Sequence, residues 1–141
     1  ISKAVLEEVP WVEENGGKYF APDREYQKIA VIERHKNTGK MGVGIVKGYG
    51  ICGGAIASSV SHDSHNIIVV GDNDHDMALA VKEMIRTQGG YTLVCKMGVK
   101  EGFDPFITLS FMALPVIPEI RVTPRGIYLV NEDSIIRTPF G

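Results

Sequence analysis

The chain has 141 residues, 44% of them hydrophobic, and a formal net charge of −2. That length fits one domain with a real buried core. The near balance of charge argues against a nucleic-acid or membrane partner held by electrostatics. No apolar run reaches the length of a membrane span, and "ISKAVLEEVPW" lacks the features of a signal peptide. Cys52 and Cys95 are far apart and read as reduced thiols, which places the protein in the cytoplasm.

Residues 1–27 read as a peripheral segment, in which "VEENGGKYFAPDREYQ" mixes charge with loop-forming Gly-Gly and Pro. The domain proper is expected over 28–141. "KIAVIER" alternates and is rich in β-branched residues, as strands are. Asn37, Gly39 and Gly42 then punctuate a turn. "VGIVKGYG" reads as a second strand loosened by glycine, and "GGAIASSV" as a third whose small side chains allow close approach. "NIIVVG" is short and continuously apolar, the pattern of a strand buried on both faces.

The strongest helix signal follows. Asn73 or Asp74 caps it, and Asp76 adds favourable charge in the first turn. Met77, Val81, Met84 and Ile85 share one face, and Gly89-Gly90 ends the helix. "YTLVCKMG" returns as a strand, completing a β-α-β pattern. The apolar run from Asp104 to about Leu114 reads as a buried helix or an extended run; Asp104-Pro105 favours the helix, and Pro115 and Pro118 end it. "IRVTPRGIYLV" predicts a closing pair of strands around a turn at 123–126. The whole reads as α/β of the α+β type: a mixed, largely antiparallel sheet packed with one to three helices.

Chemistry-bearing residues gather in "SHDSHN". His62, Asp63 and His65 carry metal-compatible groups, but His-x-x-His supplies only two imidazoles where zinc takes three or four ligands. His35 or His75 completes a site only if the fold brings it close. The competing reading is a polar turn built on Asp63 and Ser64. "GDNDHD" lacks the glycine and the downstream glutamate of a calcium loop and is better read as helix capping. "GVGIVKGYGICGG" fits neither a phosphate loop nor the dinucleotide fingerprint; its glycines serve turns and close packing. Cys95 reads as an inert strand thiol, and nothing marks Cys52 as a nucleophile. Ser58, Ser59 and Ser61 lack a nucleophile elbow.

"KIAVIERHKNTGKMGVGIVKGYG", "GAIASSVSHDSHNIIVVGDNDHDMALAVKEM" and "DPFITLSFMALPVIPEIRVTPRGIYLV" together resemble the C-terminal domain of bacterial and archaeal adenine deaminases, of the amidohydrolase superfamily. The resemblance runs from Lys28 to Val130. It implies a role in a hydrolase of purine metabolism that converts adenine to hypoxanthine and ammonia, with manganese or iron activating water in a (β/α)₈ barrel. The barrel's ligands begin with His-x-His, which this sequence does not contain, and 141 residues cannot hold a TIM barrel. No cofactor is therefore expected in this chain, and the chain alone is expected to be inactive. The implied partners are the amidohydrolase barrel domain of the same enzyme and, in the intact enzyme, adenine, with room for a homo-oligomer.

In that setting His62, Asp63, Ser64, His65 and Asn66 are the substrate-facing candidates, with no metal ligand among them. The resemblance also implies further strand and helix sequence before "DPFITLSF", where this chain has only "CKMGVKEGF". Two other readings stand beside it: a stand-alone module binding a purine or related small molecule, and a structural oligomerisation domain.

Overall fold

A computed structural model describes residues 7–61, 64–95, 120–123, 126–129 and 134–136. A first hairpin pairs β1 (Trp11–Glu14) with β2 (Gly17–Phe20). The main sheet contains β3 (Tyr26–Ile32), β4 (Met41–Lys47), β5 (Gly54–Ser58), β6 (Ile67–Gly71) and β7 (Tyr91–Cys95), in the order β4-β3-β6-β5-β7. Every neighbouring pair in it is antiparallel. One helix, α1 (Asp74–Arg86), joins β6 to β7. A three-stranded sheet of β8 (Ile120–Thr123), β9 (Gly126–Leu129) and β10 (Ser134–Ile136) lies against β3 and β4. The fold is α+β, mostly antiparallel, and among the described residues no sheet closes into a barrel.

The period-two pattern of the strands divides the core between the two faces of the main sheet. On one face Ile29, Val31, Ile56, Ile68 and Val70 pack with Tyr49 and Ile51. On the other, Ala30, Ala55, Ala57, Ile67 and Val69 meet Met77, Ala80 and Met84 of α1. β6 is buried at every position because it lies second from neither edge but at the centre, under both layers. The alanines keep the helix face shallow, so α1 sits close to the sheet. Gly71 marks the tightest point: a Cβ there would lie 2.6 Å from Met77 Cγ and 2.8 Å from Ala55 Cβ.

Several expectations are refined. Residues 11–20 form a hairpin where the composition reads as loop, because Asn15-Gly16 supplies two left-handed residues for a tight turn. β3 starts at Tyr26, and Gln27 is fully buried. Its amide donates to Asp23 O at 2.7 Å and accepts from Gly50 N at 3.1 Å, which satisfies a polar group that burial would otherwise penalise. The β-α-β reading holds with a strand inserted: β5 lies between β6 and β7 and is antiparallel to both. Ile85 does not join the buried face of α1; it is 63% exposed. The helix expected over 104–114 lies outside the described residues. The closing strand pair is present as β8 and β9, and β10 extends it.

Candidate functional site

Three separate parts of the chain converge at one end of the main sheet: the end of β3, the β5–β6 turn, and the C-terminus of α1. The turn is closed by the His65 N–H donating to Ser61 O at 2.8 Å. Ser58 and Ser61 are fully buried, and each takes part in local hydrogen bonding. Ser58 Oγ accepts from Val60 N at 3.0 Å, while Ser61 Oγ lies 3.5 Å from Ser64 Oγ. These bonds hold the turn against the sheet and leave Ser64 and Asn66 half-buried, with His65 exposed. His65 takes a left-handed backbone, φ 48°, which is uncommon outside glycine, asparagine and aspartate.

β3 delivers its next residues onto this turn. The Arg34 N–H donates to Asn66 Oδ1 at 3.4 Å, and His35 Nε2 lies 2.9 Å from Ser64 O. The loop beyond is drawn in by Glu33. Its carboxylate accepts from Lys36 N at 2.6 Å and from Thr38 N and Oγ1 at 3.1 Å. These donors, the Lys36 amide foremost, hold the Glu33 carboxyl below its ordinary range.

The third contributor is the end of α1. Thr87 is the C-cap, and Gln88 follows in the left-handed region at φ 60°. Gln88 N donates to Ile85 O at 3.2 Å and Gly89 N to Met84 O at 3.1 Å, the paired bonds of a Schellman ending. The Arg34 guanidinium donates to Gln88 O at 2.7 Å, a cation placed where the helix dipole favours one. Ser59 Oγ accepts from Gly90 N at 2.8 Å, and Ser59 N donates to Gly90 O. A Cβ at Gly89 would approach Ser59 Oγ to 2.8 Å and Arg34 Nη2 to 3.1 Å, so this position needs glycine.

The structure therefore places Ser64, His65 and Asn66 together and brings His35 to them. His62 and Asp63 lie outside the described residues. His75 sits at the opposite end of α1, exposed, beside Asp76 at 3.1 Å. There the "GDNDHD" run caps the helix. Asn73 Oδ1 accepts from Asp76 N at 2.8 Å, and Asn73 Nδ2 donates back to the Asp76 carboxylate at 2.9 Å. Asp72 takes the N–H groups of Gly53 and Gly54 and pins the approach to β5. Cys52 is a free, half-buried thiol.

Arg34 and Gln88 are members of the polar end that motif reading passes over, and Ser59 is one it weighs only as a nucleophile. Their only sequence signal is position, one or two residues past the end of a strand or helix. Among the described residues no group of three or more His, Cys, Asp or Glu side chains is arranged to hold a metal ion. Also among them, no helix is long and apolar enough to cross a membrane.

Comparison with known proteins fixes the family. The adenine deaminase C-terminal domain family matches residues 3–102 and 94–134. The chain is 42% identical over 154 aligned positions to an adenine deaminase of Desulfitobacterium hafniense strain Y51, covering 84% of this chain and 27% of that protein. It is 44% identical to one from Nitratidesulfovibrio vulgaris strain DP4, over 82% of this chain and 26% of the relative. An adenine deaminase of Bacillus subtilis strain 168 is 40% identical over 79% of this chain and 26% of its own length. The chain thus spans about a quarter of the relatives it matches. On these matches, the chain belongs to the adenine deaminase C-terminal domain family.

Proposed function

We propose that this chain serves as the non-barrel domain of an adenine deaminase, completing or shielding an active site whose catalytic metal is held by a partner barrel domain. Manganese or iron there would activate the water that attacks adenine. The described residues of this chain do not fit a metal, so no metal-dependent step is assigned to them. Their contribution is positional. The observation that carries this reading is the convergence of Arg34, His35, Ser64, His65, Asn66 and Gln88 on one braced polar end. Side chain–backbone hydrogen bonds join the three segments there, and a braced polar edge suits exclusion of bulk water and orientation of a purine.

The test uses the Desulfitobacterium hafniense adenine deaminase, substituted with Ala at the positions aligned with His65 and Asn66. The expected result is a fall of tenfold or more in kcat/KM with metal content unchanged. Unchanged kcat/KM would instead assign the domain to structure or assembly.

A further inference from the structure

Two hydrogen bonds at the polar end decide what its side chains offer a ligand. The first is made by Asn66. A backbone N–H donates and never accepts, so the Arg34 N–H takes up the amide oxygen, at 3.4 Å. That leaves the Asn66 Nδ2 group, with its two N–H donors, for another partner. The second is made by His35. A carbonyl accepts and never donates, so Nε2, 2.9 Å from Ser64 O, carries the ring proton. In the neutral ring Nδ1 is then a bare acceptor. Among the described residues, neither Asn66 Nδ2 nor His35 Nδ1 has a hydrogen-bond partner. Asn66 is half-buried and His35 exposed.

The segments that carry the two groups are held. They are tied to each other at two points, Arg34 to Asn66 and His35 to Ser64. Glu33 closes the loop that bears His35: its N–H donates to Lys40 O at 2.9 Å, and its carboxylate takes the Lys36 and Thr38 amides. The His65 N–H, bonded to Ser61 O, closes the turn that bears Asn66. One donor and one acceptor thus stand on neighbouring, braced segments. That pattern has a chemical complement. A 6-aminopurine sets an acceptor, N7, beside a donor, its N6 amino group. A 6-oxopurine sets N7 beside an oxygen, two acceptors in a row. The Asn66 donor suits N7 of either base. The His35 acceptor suits only the amino group; against a 6-oxo oxygen it sets lone pair against lone pair.

We infer that Asn66 anchors a purine through N7 and that His35, its tautomer set by the Ser64 carbonyl, selects the 6-amino substrate over the 6-oxo product. This inference rests on the reading of the chain as the domain that completes an adenine deaminase active site, and it gives two residues of that site different tasks. Asn66 holds both purines, and His35 tells them apart.

Two measurements test it. The first uses the full 141-residue chain with ¹⁵N-labelled histidine. Long-range ¹⁵N–¹H correlation NMR, at a pH where the ring is neutral, should find His35 with its proton on Nε2; a proton on Nδ1 overturns the inference. The second uses the Desulfitobacterium hafniense adenine deaminase, substituted at the positions aligned with His35 and Asn66. It reads KM for adenine and the competitive inhibition constant of hypoxanthine. His35→Phe should raise the adenine KM about tenfold or more and move the hypoxanthine constant less than about twofold. His35→Gln, whose amide offers a donor to the Ser64 carbonyl and an acceptor beside it, should keep the adenine KM within about threefold. Asn66→Asp keeps an acceptor for the Arg34 N–H but removes the donor, and should weaken both purines about tenfold or more. Equal weakening of the two purines by His35→Phe, or no rescue by His35→Gln, overturns selection by His35. If Ala at the positions aligned with His65 and Asn66 leaves kcat/KM unchanged, the domain does not reach the substrate, and the reading falls together with the inference. If that loss occurs without the pattern above, the inference alone falls.

Discussion

His65 and Gln88 hold left-handed backbone at the polar end, and neither is glycine. Such a conformation costs most side chains about 1 kcal/mol relative to glycine. Gln88→Gly is therefore expected to stabilise the chain by about 0.5–1 kcal/mol, read as a rise in Tm; a fall would show that the glutamine side chain holds the helix end. Gly71 presents the reverse case. Its Cβ position is already filled by Met77 Cγ, Ala55 Cβ and, at 2.9 Å, Gly54 O. Gly71→Ala should cost about 1–3 kcal/mol in urea unfolding, since one of the contacts is backbone and cannot swing away.

At the scale of elements, α1 shows how periodicity and packing divide the work. Met84 is buried against the sheet and Ile85, its neighbour on the same stripe, is not. Met84→Ala is expected to cost about 2–5 kcal/mol, whereas Ile85→Ala should stay within about 0.5 kcal/mol. Equal losses at the two sites would mean that Ile85 is covered in solution. The Glu33 loop gives a pH signature. Its carboxyl is held low by the Lys36 and Thr38 amides, so its stabilising contribution is complete above the unfolded carboxylate pKa. That contribution is lost as pH falls through the lowered, folded value. The Lys36 and Thr38 amide resonances should therefore titrate with a midpoint below that of an ordinary glutamate, and Glu33→Gln should abolish the transition.

For the molecule as a whole, the braced polar end is the feature formed by the most distant parts of the chain. It is the proposed meeting place with a metal-bearing barrel. The 141-residue chain by itself, supplied with manganese and adenine, should release no ammonia. Turnover by the purified chain would refute the division of labour between domain and barrel. Ile85 enters the polar end through its backbone carbonyl, which accepts from Gln88 N at 3.2 Å.

Much of this was legible in the residues taken in order. The alternation in "KIAVI", the unbroken "IIVVG" and the cap at Asn73 each encode a local structure through short-range sterics and hydrogen bonding, and the strands and helix occur there. The stretch "SHDSHN" stands out for its metal-compatible His and Asp side chains, and its described part lies at the polar end. Strand order was beyond local reading: nothing near β5 says that it inserts between β6 and β7, because pairing partners are chosen by burial across the entire sheet. The same holds for Arg34, Ser59 and Gln88, which meet only when three distant segments close on one another. Ile85 makes the point in the other direction. Its helical spacing assigns it to the apolar stripe, but whether that stripe is covered depends on what the tertiary structure places opposite it.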